Sequence, residues 1–289
     1  VKQKGGRGQL SGDRNSLART LSISTLFCLW IGFVSSLHAQ ETGAGNAATV
    51  NPAANRFRIN NRIVTDDDRV TNSTTIFFDG LVYDFVDPNG QATVYDKANA
   101  LLTVLDPSSR LQMRISVSDL EKDVEKKKEA CRTSDDYFLN YLASPHFEEQ
   151  SYDPQSGILI FRSDWVEYRF ETVPLSDPVV AGLYYDYCQK STLLNIRNSG
   201  ASSPLIRMVI NPVLEQYRRF PTKVALTLYP RGKILIATRS IVAESTHTFV
   251  RRLQYGDEQK IGQIKQYQKV FRMISPDDYY REVIAAKPQ

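Results

Sequence analysis

The sequence predicts an α+β fold: a curved antiparallel sheet of about ten strands with helices inserted on one face. Three observations lead there. Runs of β-branched and aromatic residues are separated by Pro, Asp and Gly turn chemistry. Several of those runs exchange polar and apolar residues at every second position. Other stretches carry a helical apolar period and open on a capping side chain.

The first 39 residues stand apart from that pattern. The apolar stretch 21–37 follows Lys2, Lys4, Arg7, Arg14 and Arg19 and precedes Ala39, the make-up of an export signal. Ser22, Ser24, Thr25, Ser35 and Ser36 interrupt it, which fits a cleaved leader better than a span of about 20 apolar residues. Five of the 36 basic residues and only Asp13 of the 32 acidic ones lie in 1–39, so 31 of each remain and the net charge of +4 belongs to the leader. A neutral mature chain gives no footing for nucleic acid as partner. The expectation is a periplasmic or secreted protein without a stable transmembrane anchor after cleavage. Residues 40–55, rich in Ala, Gly, Asn and Thr, read as linker, and 56–68 as a short edge strand within a linker region 40–72. Residues 73–289 then form a single domain.

Strands are expected at 76–86, 91–96, 100–105 and 111–117. Asp87-Pro88-Asn89-Gly90 and Asp106-Pro107-Ser108-Ser109 turn the chain between them, Asp153-Pro154-Gln155-Ser156-Gly157 repeats the device, and Tyr229-Pro230-Arg231-Gly232 is a fourth instance. Leu111, Met113, Ile115 and Val117 alternate with Gln112, Arg114 and Ser116, giving that strand one wet face. Val166, Tyr168 and Phe170 alternate with Glu167, Arg169 and Glu171 in the same way. In 76–86 both faces are apolar, so that strand is covered on both sides. Ser118 and Glu121 make a capping box for one long helix, 118–142, with Leu120, Val124, Cys131, Phe138 and Tyr141 or Leu142 inward. Asp177-Pro178 and Ser203-Pro204 start two more helices. Val180, Tyr184, Tyr187, Ser191 and Leu194 form the inner stripe of the first of these. Strands at 222–229, 233–241 and 246–253 precede a C-terminal helix from Asp257 and a short one capped at Ser275-Pro276.

No motif carries catalysis, a metal or a cofactor. His146 and His247, the two mature histidines, stand in no catalytic or metal-ligand spacing, and a structural or surface role suits both. Asp66, Asp67 and Asp68 read as a solvated acidic turn. The rival reading is a secreted hydrolase with dispersed carboxylates. Glu167 and Glu171 share a strand face at about 13 Å, wider than a glycosidase pair, and Arg169 between them points to a solvated face instead. Arg251, Arg252, Lys260, Lys265 and Lys269 form a positive strip near the C-terminus, with Tyr255 and Tyr267 interleaved. An anionic polymer would fit it, as would plain solvation of an amphipathic helix. Cys131 and Cys188 are open to two readings, buried free thiols or a bridge stabilising by about 4 kcal/mol in an exporting chain.

What the chain has in quantity is aromatic side chains, 10% of all residues. A sheet curved around helices leaves an apolar hollow, and Phe78, Val166, Tyr168, Phe170, Tyr184 and Tyr187 are its candidate lining. The stretch 74–253 resembles the LolA/LolB lipoprotein-carrier type. Its local cues are Phe78-Asp79-Gly80-Leu81-Val82-Tyr83-Asp84 and the segment from Pro204-Leu205-Ile206-Arg207 to Asn211-Pro212-Val213-Leu214. That resemblance implies an open half-barrel whose concave apolar face shelters acyl chains in the periplasm, or serves contacts with another envelope protein. The functional expectation is a non-catalytic binding protein for an apolar ligand or an envelope component.

Overall fold

The computed structural model describes residues 55–65, 68–88, 90–197, 204–229 and 241–284. The leader expected at 1–39, most of the expected linker, Ser203 and the greater part of the strand expected at 233–241 lie outside them.

Twelve strands form one open sheet. In chain order they are β1 (Phe57–Thr65), β2 (Val70–Phe78), β3 (Leu81–Asp87), β4 (Gln91–Asp96), β5 (Leu101–Asp106), β6 (Leu111–Ser116), β7 (Glu149–Asp153), β8 (Ile158–Arg162), β9 (Val166–Pro174), β10 (Arg219–Leu228), β11 (Ile241–Val250) and β12 (Arg272–Ile274). The spatial order is β12-β6-β5-β4-β3-β2-β1-β11-β10-β9-β8-β7. Every pair is antiparallel except β12 against β6. Two meanders therefore meet at the β1–β11 seam. The fold is α+β, an open half-barrel, and β1 is its central strand rather than the short edge strand expected. Its alternating pattern, with Phe57, Ile59, Ile63 and also Asn61 inward, fits that position.

The run 76–86 is two strands, not one. Asp79 and Gly80 both have positive φ, 50° and 80°, the conformation of a tight hairpin turn. Phe78 then faces Leu81 and Phe77 faces Val82 across the hairpin. The reversal sets the faces: Phe77 and Val82 lie on one side, and Ile76, Phe78, Leu81, Tyr83 and Phe85 on the other. Both sides are covered, as the sequence predicts.

Helices α1 (Val117–Arg132) and α2 (Tyr137–Ala143) connect β6 to β7, and α3 (Pro178–Leu194) and α4 (Pro204–Gln216) lie between β9 and β10. These four share one apolar core with one face of the sheet. The single helix expected over 118–142 is broken because Asp136 accepts from Leu139 N–H and starts a new one. The cap of α1 is Ser116, which accepts from Asp119 N–H at 3.1 Å, two residues earlier than the expected box. Asp177 caps α3 ahead of Pro178, and all five residues of its predicted stripe are buried. Helix α5 (Tyr255–Val270) covers the opposite face with Ile261 and Ile264. There Gln112 is buried instead of wet, because its amide donates to the carbonyls of Gln268 and Phe271 at the end of α5. Ser275 caps the short α6 (Pro276–Tyr279) as expected.

Candidate functional site

The helix-facing side of the sheet is an aromatic interior. β9 points Val166, Tyr168 and Phe170 inward, with Tyr168 and Phe170 stacked at 5.8 Å. α3 supplies Tyr184, 5.2 Å from Phe220, and Tyr187, edge-on to Phe77 at 5.8 Å and 6.3 Å from Tyr95. Five of the six predicted lining residues thus enter one core, and all five are buried. Phe78 does not join them, because the hairpin turn places it on the α5 side, where Arg56 lies 4.5 Å over its ring. The lining expected as an open hollow is filled by the inserted helices.

A cleft opens onto this interior between α3 and the β2–β3 hairpin. It is a shallow depression open to solvent, lined on its apolar side by Phe77, Phe78, Leu81, Val82 and Leu183. Tyr95, Lys97 and Asp186 form its polar side. The Tyr95 hydroxyl donates to Asp186 Oδ2 at 3.1 Å and Lys97 Nζ lies 3.2 Å from the same oxygen. Burial together with the Asp186 charge holds the Tyr95 phenol above its ordinary pKa, so it stays a donor. Phe77 belongs both to the cleft wall and to the Tyr187 contact, and so joins mouth to interior.

A polar strip crosses the same interior face, which sequence reasoning missed. His247 bridges Asn61 Oδ1 at 2.7 Å and Ser245 Oγ at 3.1 Å. Asn61 Nδ2 donates to Ser73 at 3.0 Å and Thr75 at 3.4 Å, and Thr75 donates to Asp84 Oδ1 at 2.6 Å. Four adjacent strands, β11, β1, β2 and β3, are tied by this chain. Burial lowers His247 to about 3, with the nearby Arg207 charge adding to it, so the ring is neutral. Neutrality fixes the tautomer by its partners: Nδ1–H donates to the Asn61 carbonyl oxygen, and Nε2 accepts from Ser245. Burial lifts Asp84 to about 6 against the opposing Thr75 hydrogen bond. Arg207 of α4 is buried over Tyr168 and Phe170 at 5.5 and 5.0 Å, and desolvation pulls its guanidinium below its usual range. The sequence signal was present: Asn61, Thr75, Ser245 and His247 occupy inward positions of alternating strands.

The carboxylates of the hydrolase reading lie elsewhere. Glu167 pairs with Arg162 at 2.8 Å and accepts from Tyr229 at 3.0 Å, and the Arg162 hydrogen bond holds it below its ordinary value. Glu171 is exposed, and neither shares the face of Tyr168 and Phe170. No grouping of metal-ligating side chains occurs among the described residues; Asp66 and Asp67 lie outside them. Cys131 on α1 and Cys188 on α3 are buried as separate thiols, so the bridge weighed for them is not formed.

Fold and site together define an α+β half-barrel with an aromatic, helix-covered interior reached at one hairpin. No family model matches the sequence, and no curated protein does. Among solved structures, the crystal structure of a LolA superfamily protein from Nitrosomonas europaea is similar. It shares 10% identity over 71% of this chain and 89% of that one, with a TM-score of 0.29. At that identity no residue role transfers.

Proposed function

We propose that this chain is an exported, non-catalytic binding protein that takes an acyl chain, or the apolar part of an envelope component, beneath its inserted helices. The cleft carries the reading: its apolar wall of Phe77, Leu81, Val82 and Leu183 adjoins the interior through the Phe77–Tyr187 contact, so a guest entering there would replace apolar contacts with apolar contacts. The cleft is a shallow depression far smaller than a small-molecule pocket, so any acyl chain requires α3 to lift from the sheet. Arg207 gives the interior one positive wall, which suits a guest with an anionic end. Placement of Glu167 and Glu171 outside the interior supports binding over hydrolysis.

The test is titration with a fluorescent fatty-acid probe. Saturable binding that weakens about tenfold or more in Leu183→Glu supports the cleft, since one carboxylate placed in an apolar mouth costs more than 1.4 kcal/mol. Absence of saturable binding, or equal binding by the variant, removes the lipid reading and leaves protein contacts. Cleavage of chromogenic sugars that is lost in Glu171→Gln replaces it with the hydrolase.

A further inference from the structure

The geometry points to a binding site for an organic ammonium group on the inner face of the sheet, with Asp84 as its anchor. It does not depend on the acyl-chain reading. Register sets Asp84 of β3 directly between Thr75 of β2 and Thr93 of β4, at about 5 Å from each. Two residues along, Val82 stands between Phe77 and Tyr95, so those two rings are diagonal neighbours of Asp84. Tyr187 of α3 packs against both rings, at 5.8 and 6.3 Å. The pocket so framed is enclosed without being sealed. Ser73, Asp84 and Thr93 keep part of their surface open, whereas Thr75, Phe77, Val82 and Tyr95 are buried. The opening therefore lies away from the β2–β3 hairpin and its cleft.

Two polar groups meet there with bonding capacity unused. Asp84 Oδ1 accepts from Thr75 at 2.6 Å, while Oδ2 has no partner among the described residues. Tyr187 is only 6% exposed, and its hydroxyl has no partner among the described residues either. Burial, and after it the Asp84 charge, pushes the Tyr187 phenol up, which places the two groups close together. Polar groups held this deep without partners are costly, and a guest that donates to them removes the cost. Charge then selects the guest. Desolvation lifts Asp84 to about 6, so it is ionised at pH 7.5, yet it has no ion pair among the described residues. Lys97 is engaged by Asp186, and Arg207 lies over Tyr168 and Phe170 of β9, five strands along the sheet from β3. A hard metal ion wants several oxygen ligands with more than one carboxylate among them, and no grouping of metal-ligating side chains occurs among the described residues. An alkylammonium needs only what is present. Its N–H groups donate to Asp84 Oδ2 and Tyr187 Oη, and its charge rests against the rings of Phe77, Tyr95 and Tyr187.

The experiment is isothermal titration calorimetry of the full chain at pH 7.5 with n-hexylamine, 1-hexanol and hexanoate, which share one apolar chain and differ in the head. Hexylammonium is expected to bind about tenfold or more tightly than hexanol, the gain of a charged hydrogen bond, and hexanoate more weakly than either. Asp84→Asn, which keeps an acceptor for Thr75, should reduce hexylammonium to the level of hexanol with an unchanged circular dichroism spectrum. Tyr187→Phe should take away part of the advantage. No saturable binding of hexylammonium, equal affinity for amine and alcohol, or an advantage that survives Asp84→Asn overturns the proposal. So does an advantage abolished by Asp186→Asn and not by Asp84→Asn, which would put the cation at the cleft. The fatty-acid titration reports on the cleft separately, so either reading can fail alone.

Discussion

Replacing Asp84 by Asn is expected to change the pH dependence of stability, through the strip that ties β11 to β3. The Asp84 carboxyl titrates near 3.8 when exposed and at about 6 in the fold. Between those values the folded chain keeps a proton that the unfolded chain has lost. Its contribution to stability is therefore full below about 3.8 and falls as pH rises to about 6, by about 3 kcal/mol in all. His247 runs the other way, from 6.5 unfolded to about 3 folded. There the unfolded chain binds the extra proton, so stability is present above 6.5 and is lost as pH falls toward 3, by about 5 kcal/mol. In the wild type the two slopes oppose each other between about 4 and 6. Asp84→Asn keeps an acceptor for Thr75 and removes only the falling slope. Urea midpoints read by Trp165 fluorescence at several pH values should show the variant gaining on wild type by about 3 kcal/mol across that window. A gap that stays constant with pH would refute the assignment of Asp84 as a desolvated carboxyl.

Three further outcomes follow from packing. Gly157→Ala should destabilise by about 2 kcal/mol or more, because its φ is +70° and a Cβ would stand 2.4 Å from the Thr172 carbonyl oxygen; an unchanged melting temperature would contradict that geometry. Leu120→Ala, at a side chain with 0% exposure, should cost about 2–5 kcal/mol by chemical denaturation. Cys131 and Cys188 should resist alkylation in the native protein and both react once unfolded without reductant; a mass short by two hydrogens would mean a bridge.

Much of the fold was legible because it rests on period and turn chemistry. The stripe of α3 and the inward face of β9 follow from spacing alone, since burial there is decided by the local amphipathic pattern. The division of 76–86 was missed although Asp79-Gly80 is a strong hairpin signal, because apolar residues on both sides of the turn mask the break. The central place of β1 was not legible: its partner β11 lies almost the whole domain away in sequence, and pairing over that distance leaves no local mark. The same holds for the site. Aromatic density identified five interior residues, but the helices that fill the hollow are set by tertiary packing. Asn61, Thr75, Ser245 and His247 show in each strand only as polar residues at inward positions, and they become one strip when β11, β1 and β2 align, with Asp84 of β3 at its end. Gln112 reads as a wet position until α5 is laid over it.

Hydrogen–deuterium exchange of the full chain with and without oleate bears most directly on the helix-covered interior as a binding site. Protection by oleate concentrated in α3 and in the β2–β3 hairpin, with α5 unaffected, is the predicted result. Unchanged exchange in α3, with any protection confined to other segments, would contradict it.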